Sequence, residues 1–351
     1  MTGEYVGPLL IGGRYGHHAD HSGYERSFVG VGTPLVSTSW RWQSWRIEPV
    51  VARLAKSEIY SSGAFVTELR NAPSILRRRH AQFHYIYGET DAWLLPSFAA
   101  RTKQPFRFSA SLHLPPERFR ELSFDFRRLR NANHLILVSE SQVELVTEAL
   151  PGTPTTVVPI NVDSEFFTPT APEDADEAAP FYLCVGSHLR DHALLVESFD
   201  AARTHVRLRT KGPALRLLLV GAPPEVCKLA GRHDDVEIVG RISDEELRTL
   251  YRRCVATVLP LRHATASLAA LEALSCGAHI ITTEHAGTRE YLREFAVYLP
   301  PSDSRLLSDA MIAALEAPTT NESVKASRHS HAATFDETIA QARMRTLFQS
   351  L

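Results

Sequence analysis

The plainest patterning of apolar and polar positions lies between Val255 and Thr282. Val255 to Leu261 is an apolar run rich in β-branched residues, which predicts a buried strand. A short polar loop follows at His263 to Thr265. Leu268, Leu271 and Leu274 then recur at helical spacing, with Ser267 or Thr265 placed to cap the helix. Gly277 supplies the left-handed residue that ends helices, and Ala278 to Thr282 reads as the next strand. The segment is a strand–helix–strand unit of the kind that builds parallel sheets. In such sheets ligands sit beyond the carboxyl ends of the strands and at helix N-termini, so the loop His263–Ser267 is a candidate binding place. Glu272 lies about a turn and a half into the helix behind it.

Similar alternation runs through the rest of the chain. Val6 to Ile11 reads as a first strand that enters the loop GGRYGHHADHSGYER. Ile47–Lys56 and Ser74–Arg79 read as helices, and Gln82 to Tyr87 and Phe106 to Leu112 as strands. HLILVSESQVELVTEAL reads as a strand, a cap at Ser139, and a helix. Phe181–Val185 is a buried strand that meets Gly186, a polar loop and a helix with Leu194, Leu195 and Phe199 apolar. LRLLLVGAP and VEIVG are strands, and the second leads to Ser243 with Glu246 three residues on, a capping box. AVYLPPSD is a short strand and loop, and LLSDAMIAALEA and the final FDETIAQARMRTLFQSL are helices. TPTAPEDADEAAP, at 168–180, is rich in Pro, Ala and acids and reads as a linker.

Composition narrows the class. The 351 residues suffice for two ordinary domains, and 44% hydrophobic content is that of a globular chain. A net charge of -2 gives no general reason to expect nucleic acid as a partner. Cys184, Cys227, Cys254 and Cys276 are widely spaced without a C-x-x-C, so zinc knuckles and redox pairs are not expected and reduced thiols are. No apolar run approaches the ~18 residues of a membrane span, and MTGEYVGPLLIGGRYGHH lacks a basic start, so a cytoplasmic protein is expected.

Several features carry two readings. His17, His18 and His21 are close together in one loop; no carboxylate–cysteine set completes a metal site, so loop polarity or substrate contact is the first reading. Glycines 12, 13 and 16 do not form G-x-G-x-x-G. Asp174 and Asp176 imitate a D-x-D metal motif but lie in the linker, so no metal is expected. Trp40, Trp42 and Trp45 are core packing or a saccharide platform. Arg118, Arg120, Arg127, Arg128 and Arg130 are a solvated helix face or a contact for anionic headgroups. His113, before Pro115 and Pro116, is a strand-end histidine or a functional one.

LEALSCG followed by AHIITTEHAG resembles the donor-binding segment of the retaining glycosyltransferases of family 4 type, which have the GT-B fold. That family usually shows two glutamates eight positions apart; Glu272 matches the second and Ala264 stands at the first. TTVVPINVDSEFFTP resembles the family's V-I-P-N-G-V-D-x-x-x-F-x-P, with Asn161 at the glycine. Gly186 opens the family's V-G-R-x-x-x-x-K-G loop, here shorter, with Ser187 at the arginine and Arg190 at the lysine that holds the donor diphosphate. SDEELRTLY after Gly240 also matches, which places Arg241 near the nucleobase. HSGYER puts Gly23 in the small-residue loop beside the donor phosphates, and His113 falls at the family's histidine beside the reacting sugar. The resemblance is strong from about residue 130 to 300 and thin before that.

The resemblance implies an α/β chain of two Rossmann-like domains facing a central cleft. The boundaries are 1–167 for the acceptor domain, 168–180 for the linker, 181–330 for the donor domain and 331–351 for a terminal helix packing back on the first domain. It implies a metal-independent retaining transfer from a nucleoside-diphosphate sugar, which is the donor substrate and not a cofactor. The acceptor is a saccharide or is lipid-linked, in cell-envelope or exopolysaccharide synthesis, and peripheral contact at the inner face of the membrane fits that setting. His113 and Glu272 are then the catalytic candidates, and Thr265, Ser267 and Leu268 join Gly23, Gly186, Ser187, Arg190, Arg241 and Glu272 around the donor. The alternative drawn from Ala264 and Ser187 is a non-catalytic GT-B protein that binds a nucleotide or a partner; a nucleotide-sugar epimerase of the same build is a third reading.

Overall fold

The computed structural model describes residues 7–12, 20–34, 48–55, 59–60, 62–77, 82–102, 107–169, 179–209, 214–230, 233–318 and 321–351. His17, His18, Trp40, Trp42, Trp45, Asp174 and Asp176 lie outside them. The chain divides into two compact units: Met1–His18, Gly23–Asn161 and Glu337–Leu351 form the first, and Ala19–Ser22 with Val162–Asp336 the second.

The first unit is a parallel sheet of six strands: β1 (Leu9–Ile11), β2 (Thr33–Pro34), β3 (Gln82–Tyr85), β4 (Arg107–Leu112), β5 (His134–Leu137) and β6 (Thr155–Val157). Their order is β2-β1-β3-β4-β5-β6. Parallel sheets are covered on both faces, so β4 and β5 read as near-continuous buried runs. One face packs Phe83, Tyr85, Phe108, Leu112, Leu135 and Leu137 against Phe119, Leu129 and Val146.

The other face carries polar groups that satisfy one another. His84 in β3 bonds through its two ring nitrogens to Ser109 Oγ (2.8 Å) and Ser111 Oγ (3.0 Å) of β4. The terminal helix Glu337–Ser350 covers this patch: the Phe348 ring lies 5.2 Å from His84, Glu337 pairs with Arg26, and Gln341 Nε2 donates to the Arg26 carbonyl (3.0 Å). The final amphipathic stretch, Glu337–Leu351, thus belongs to the first unit.

The helix expected at Ser74–Arg79 is the end of a longer one, Ser62–Arg77. Gly63 and Pro73 hide it in the sequence because both normally interrupt a helix. It carries Glu68 into the interior, where the carboxylate accepts from Tyr60 Oη (2.6 Å), Tyr85 Oη (2.8 Å) and the amides of Leu94 (2.7 Å) and Leu95 (3.0 Å). Those last two bonds hold the start of the helix Leu94–Thr102.

The basic stretch 118–130 is not a uniform solvated face. Arg118 pairs with Glu121 (2.9 Å) and Arg127 with Asp125 (2.8 Å), both at the surface. Arg128 is only 8% exposed; it donates to the Ala55 carbonyl and lies over the Phe124 ring, and burial lowers its pKa. No helix among the described residues is long and apolar enough to cross a membrane.

The second unit is again a parallel sheet of six strands: β7 (Phe181–Val185), β8 (Arg216–Val220), β9 (Val236–Val239), β10 (Ala256–Leu259), β11 (Ile280–Thr283) and β12 (Ala296–Leu299). The order is β12-β11-β10-β7-β8-β9. Val162 bridges Asp336, and the Ser164 hydroxyl donates to the Asp336 carboxylate (2.6 Å). Ser275 Oγ donates to the Phe167 carbonyl. These contacts tie 162–167 into this unit, so the expected boundaries at 167 and 330 both fall a few residues inside it. A helix not expected from the sequence, Glu322–Ala332, packs beside the end of the helix Leu268–Ser275. There Arg328 Nη1 donates to the Gly277 carbonyl (3.1 Å), and Gly277 takes the expected left-handed conformation at φ 75°. Cys184, Cys254 and Cys276 are free thiols.

Candidate functional site

In the second unit the chain lays β8 and β9 to one side of β7 and then returns to place β10, β11 and β12 on the other. The reversal falls between β7 and β10, and in open α/β sheets ligands bind where the strand order reverses. The loops leaving these two strands are joined. Arg190 and Leu261 form an antiparallel bridge, Asp191 N–H donates to the Pro260 carbonyl (2.8 Å), and Arg262 N–H to the Leu189 carbonyl (2.9 Å).

The turn after β7 begins with Gly186 at φ 88°, a conformation that suits glycine. It returns Arg190 to the strand end. The guanidinium donates to the carbonyls of Val185 (3.3 Å) and His188 (2.9 Å) and, through Nη2, to Ser267 Oγ (3.3 Å). Burial lowers the Arg190 pKa, with Cys184, Tyr251 and Glu272 acting the other way. Ser187, read as the substitute for the family's arginine, is exposed.

Ser267 caps the helix Leu268–Ser275: its hydroxyl accepts from the Ala270 amide (3.3 Å). Ser267 is thus the cap and Thr265 is not. The cap engages the Ala270 amide, and the amides of Leu268 and Ala269 have no acceptor among the described residues. These two amides at the start of the helix therefore remain available to a ligand. Thr265 is buried, and its Oγ1 has no hydrogen-bond partner among the described residues.

Glu272 is 4% exposed, and each of its oxygens meets a hydroxyl. Oε2 accepts from Tyr251 Oη (2.9 Å) and Oε1 from Ser22 Oγ (2.6 Å), both groups of the second unit. Burial first, and then the Glu272 charge, push the Tyr251 phenol well above its usual range. Beside Ser22, the His21 ring stacks on Phe166 at 3.7 Å and its Nδ1 lies 2.6 Å from Asp163 Oδ2. His21 is therefore engaged in packing and hydrogen bonding, and no group of three or more His, Cys, Asp or Glu is arranged to hold a metal ion among the described residues.

The loop carrying Ala264 and Thr265 rests on the next helix, Ala286–Leu292, through Gly287. A Cβ at Gly287 would lie 2.0 Å from the Thr265 carbonyl oxygen and 2.8 Å from that of Ala264. Leu261 fixes the other end of the loop: its amide donates to Thr283 Oγ1 (2.9 Å), and its carbonyl lies 2.9 Å from His285 Nε2. Arg241 is exposed, with no hydrogen-bond partner among the described residues.

The other candidates lie in the first unit. His113 follows β4, with its ring edge-on to Tyr24 (4.5 Å) and tilted against Tyr87 (4.8 Å). Its amide donates to Glu89 Oε1 (2.9 Å). Gly23 takes φ 123°, and a Cβ there would meet the Glu25 carboxylate at 2.5 Å. Glu25 in turn accepts from Tyr87 Oη (3.0 Å), so Gly23 belongs to the turn that shapes the wall around His113.

The structure thus gathers Gly186, Arg190, Thr265, Ser267, Leu268 and Glu272 at the strand reversal of the second unit, and places Ser187 and Arg241 at its surface. Ser22, Tyr251, Tyr87 and Glu89 escape the sequence reading. Glu89 had a local signal, since GETD sets two carboxylates at the end of an expected strand. Ser22 had none.

Residues 179–317 match the family model described as Glycosyl transferases group 1. No curated protein matches the chain at a significant level. Among solved structures, the chain is similar to Anabaena HepE in complex with UDP-glucose, with TM-score 0.70, 13% identity, and coverage of 99% of this chain and 100% of that one. It is similar also to alpha,alpha-trehalose 6-phosphate synthase from Burkholderia multivorans, with TM-score 0.67, 13% identity, and coverage of 99% and 97%. For sucrose-phosphate synthase from Thermosynechococcus elongatus the TM-score is 0.64 at 19% identity, with coverage of 87% and 79%. The residues that match this family model lie within the second unit, and the two parallel-sheet units have the fold of the GT-B glycosyltransferases.

Proposed function

We propose that the protein is a glycosyltransferase whose second unit holds a nucleoside-diphosphate sugar and whose acceptor is a saccharide or a lipid-linked saccharide. The observation that carries this reading is the convergence of Arg190 and Ser267 at the start of the helix Leu268–Ser275, with Glu272 behind. A helix N-terminus and a guanidinium both favour an anion, and the amides of Leu268 and Ala269 supply donors to it. The leaving group of such a donor is a diphosphate. Positive groups fixed in advance where its charge develops lower the barrier to departure without a divalent ion.

Glu272 suits the ribose. Its carboxylate already accepts from two hydroxyls, and the Ser22 contact at 2.6 Å marks a place where a sugar hydroxyl would sit. In transfer with retention, the bond from the anomeric carbon to the diphosphate breaks. The bond to the acceptor oxygen forms on the same face, and the acceptor proton passes to the departing phosphate oxygen. Uridine is the first base to try, because the Anabaena HepE structures hold UDP and UDP-glucose.

The test is donor turnover with UDP-, GDP- and dTDP-sugars. Release of nucleoside diphosphate by the wild type, lost in Arg190→Ala, is expected. A second reading, a nucleotide-binding protein without activity, is favoured by Ala264, an aliphatic residue where the resembled family has an acid. That reading gains if nucleotide binds tightly, no donor turns over, and Ala264→Glu changes nothing.

A further inference from the structure

The carboxylate read as the ribose acceptor is met by the chain itself. Residues 20–22 stand in the sequence just before Gly23 and the short helix Tyr24–Phe28 of the first unit, yet they pack with the second. Asp244, Asp163 and Glu272 hold this strap. The His21 amide donates to Asp244 Oδ2 (2.6 Å), His21 Nδ1 lies 2.6 Å from Asp163 Oδ2, and Ser22 Oγ donates to Glu272 Oε1 (2.6 Å). The His21 ring also stacks on Phe166, with the planes 7° apart.

The seat for the strap is fixed by the second unit's own contacts. Asp163 Oδ1 accepts from the Phe166 amide (3.0 Å). Arg248 lies over the Phe166 ring at 4.3 Å, and its Nη1 donates to the Phe166 carbonyl (3.2 Å). Asp244 opens the helix Asp244–Arg253, where the helix dipole favours a carboxylate.

Ser22 meets Glu272 as a ribose hydroxyl would. Both are aliphatic alcohols, and an ionised carboxylate can only accept from either. Tyr251 takes Oε2, so a ribose that engages Oε1 competes with Ser22. The carboxylate is 4% exposed with the strap seated. A site that is open for only a fraction of the time binds its ligand more weakly by that fraction.

The strap is suited to leave. The His21 side chain is 34% exposed, so water reaches it in place. Each hydrogen bond it gives up is to a carboxylate, which water can solvate in its stead. The strap ends at Gly23, whose φ of 123° is a glycine conformation and whose freedom suits a hinge.

We propose that residues 20–22 are an autoinhibitory plug: Ser22 holds the place of a ribose hydroxyl on Glu272, and a nucleoside diphosphate displaces the strap to bind. The proposal rests on the reading of Glu272 as part of a nucleotide site.

UDP and inorganic pyrophosphate are titrated by calorimetry into the full-length wild type, Ser22→Ala and His21→Ala. Ser22→Ala removes the competing hydroxyl, and His21→Ala loosens the strap without touching Glu272. Each variant is expected to bind UDP about tenfold more tightly, the release of one hydrogen bond to a charged group. Pyrophosphate, which carries no ribose, should bind all three alike. Hydrogen exchange of the His21 amide, followed by NMR, should be slow in the free wild type and fast when UDP is saturating. UDP affinity that is equal or lower in either variant overturns the plug, as does a His21 amide that stays protected with UDP bound. So does a pyrophosphate affinity that rises with that of UDP. These outcomes leave the donor reading standing, whereas absence of UDP binding from all three proteins sinks both.

Discussion

Arg190 Nη2 donates to the hydroxyl of Ser267, the residue that caps the helix Leu268–Ser275. A cation beside a helix N-terminus opposes the helix dipole, at a cost of about 0.3–1 kcal/mol in ordinary surroundings. Burial adds to the penalty, as the lowered Arg190 pKa records. Three protein oxygens hold the guanidinium in that position, so its placement is enforced by the loop after Gly186. A bound anion turns the same arrangement from unfavourable to favourable, which is why the site is read as a diphosphate cradle.

Tyr251 tests the role of Glu272. The phenol donates to a carboxylate that is nearly fully buried, so Tyr251→Phe removes one of the hydroxyls that meet it. A loss of about 1–3 kcal/mol of folding stability is expected, measured by denaturant titration. Nucleotide affinity should fall with it, because the carboxylate loses the group that orients it. An unchanged unfolding midpoint would contradict the assignment of Glu272 as a charged, oriented acceptor.

Gly287 tests whether the loop 264–267 needs its seat on the following helix. A methyl group at Gly287 meets the Thr265 carbonyl at 2.0 Å, a distance no relaxation of a side chain alone can relieve. Gly287→Ala is expected to destabilise the fold by about 1–3 kcal/mol, as overpacking does, and to weaken UDP binding by displacing the loop. Gly240→Ala is the control: a Cβ there meets nothing within 4 Å, and little change is expected.

How much of this was legible in the sequence depended on how local the cause was. The unit from β10 to β11 was readable because its apolar runs and its Gly277 stop lie within one short stretch. The helix Ser62–Arg77 was hidden by Pro73, whose cost is overridden by the tertiary anchoring of Glu68. Arg128 reads as surface charge in any local window, and only the fold shows it buried against the Ala55 carbonyl. Ser22 and Glu272 are 250 residues apart in sequence, so no periodicity could join them. The family resemblance pointed to residues of the second unit and passed over Glu89, whose unpaired buried oxygen only coordinates reveal.

Asp91 and His84 make opposed contributions to the pH dependence of stability. Asp91 has a folded-state pKa of about 7 against an ordinary 3.8, raised by burial. The folded carboxyl therefore holds its proton more tightly, and its stabilising share is complete below about pH 4 and lost as pH rises through about 7. His84 is the reverse, lowered from 6.5 to about 3 by burial and then by His113 and His134. Its share is present above about 6.5 and lost as pH falls toward about 3. Thermal melts should show Asp91→Asn more stable than the wild type by up to about 4 kcal/mol above about pH 8, with the gain vanishing near about pH 4. A constant difference across that range would contradict the burial of Asp91 as a protonated acid.

The most direct measurement is calorimetric titration of UDP into the wild type and into Arg190→Ala. The expected result is binding by the wild type and a fall of about 10–100-fold in the variant, the loss of a charge-assisted contact to phosphate. Its melting temperature should stay within about 2–4 °C of the wild type. Equal affinity in the two proteins would show that no phosphate sits at the start of the helix Leu268–Ser275, and the donor site would have to lie elsewhere.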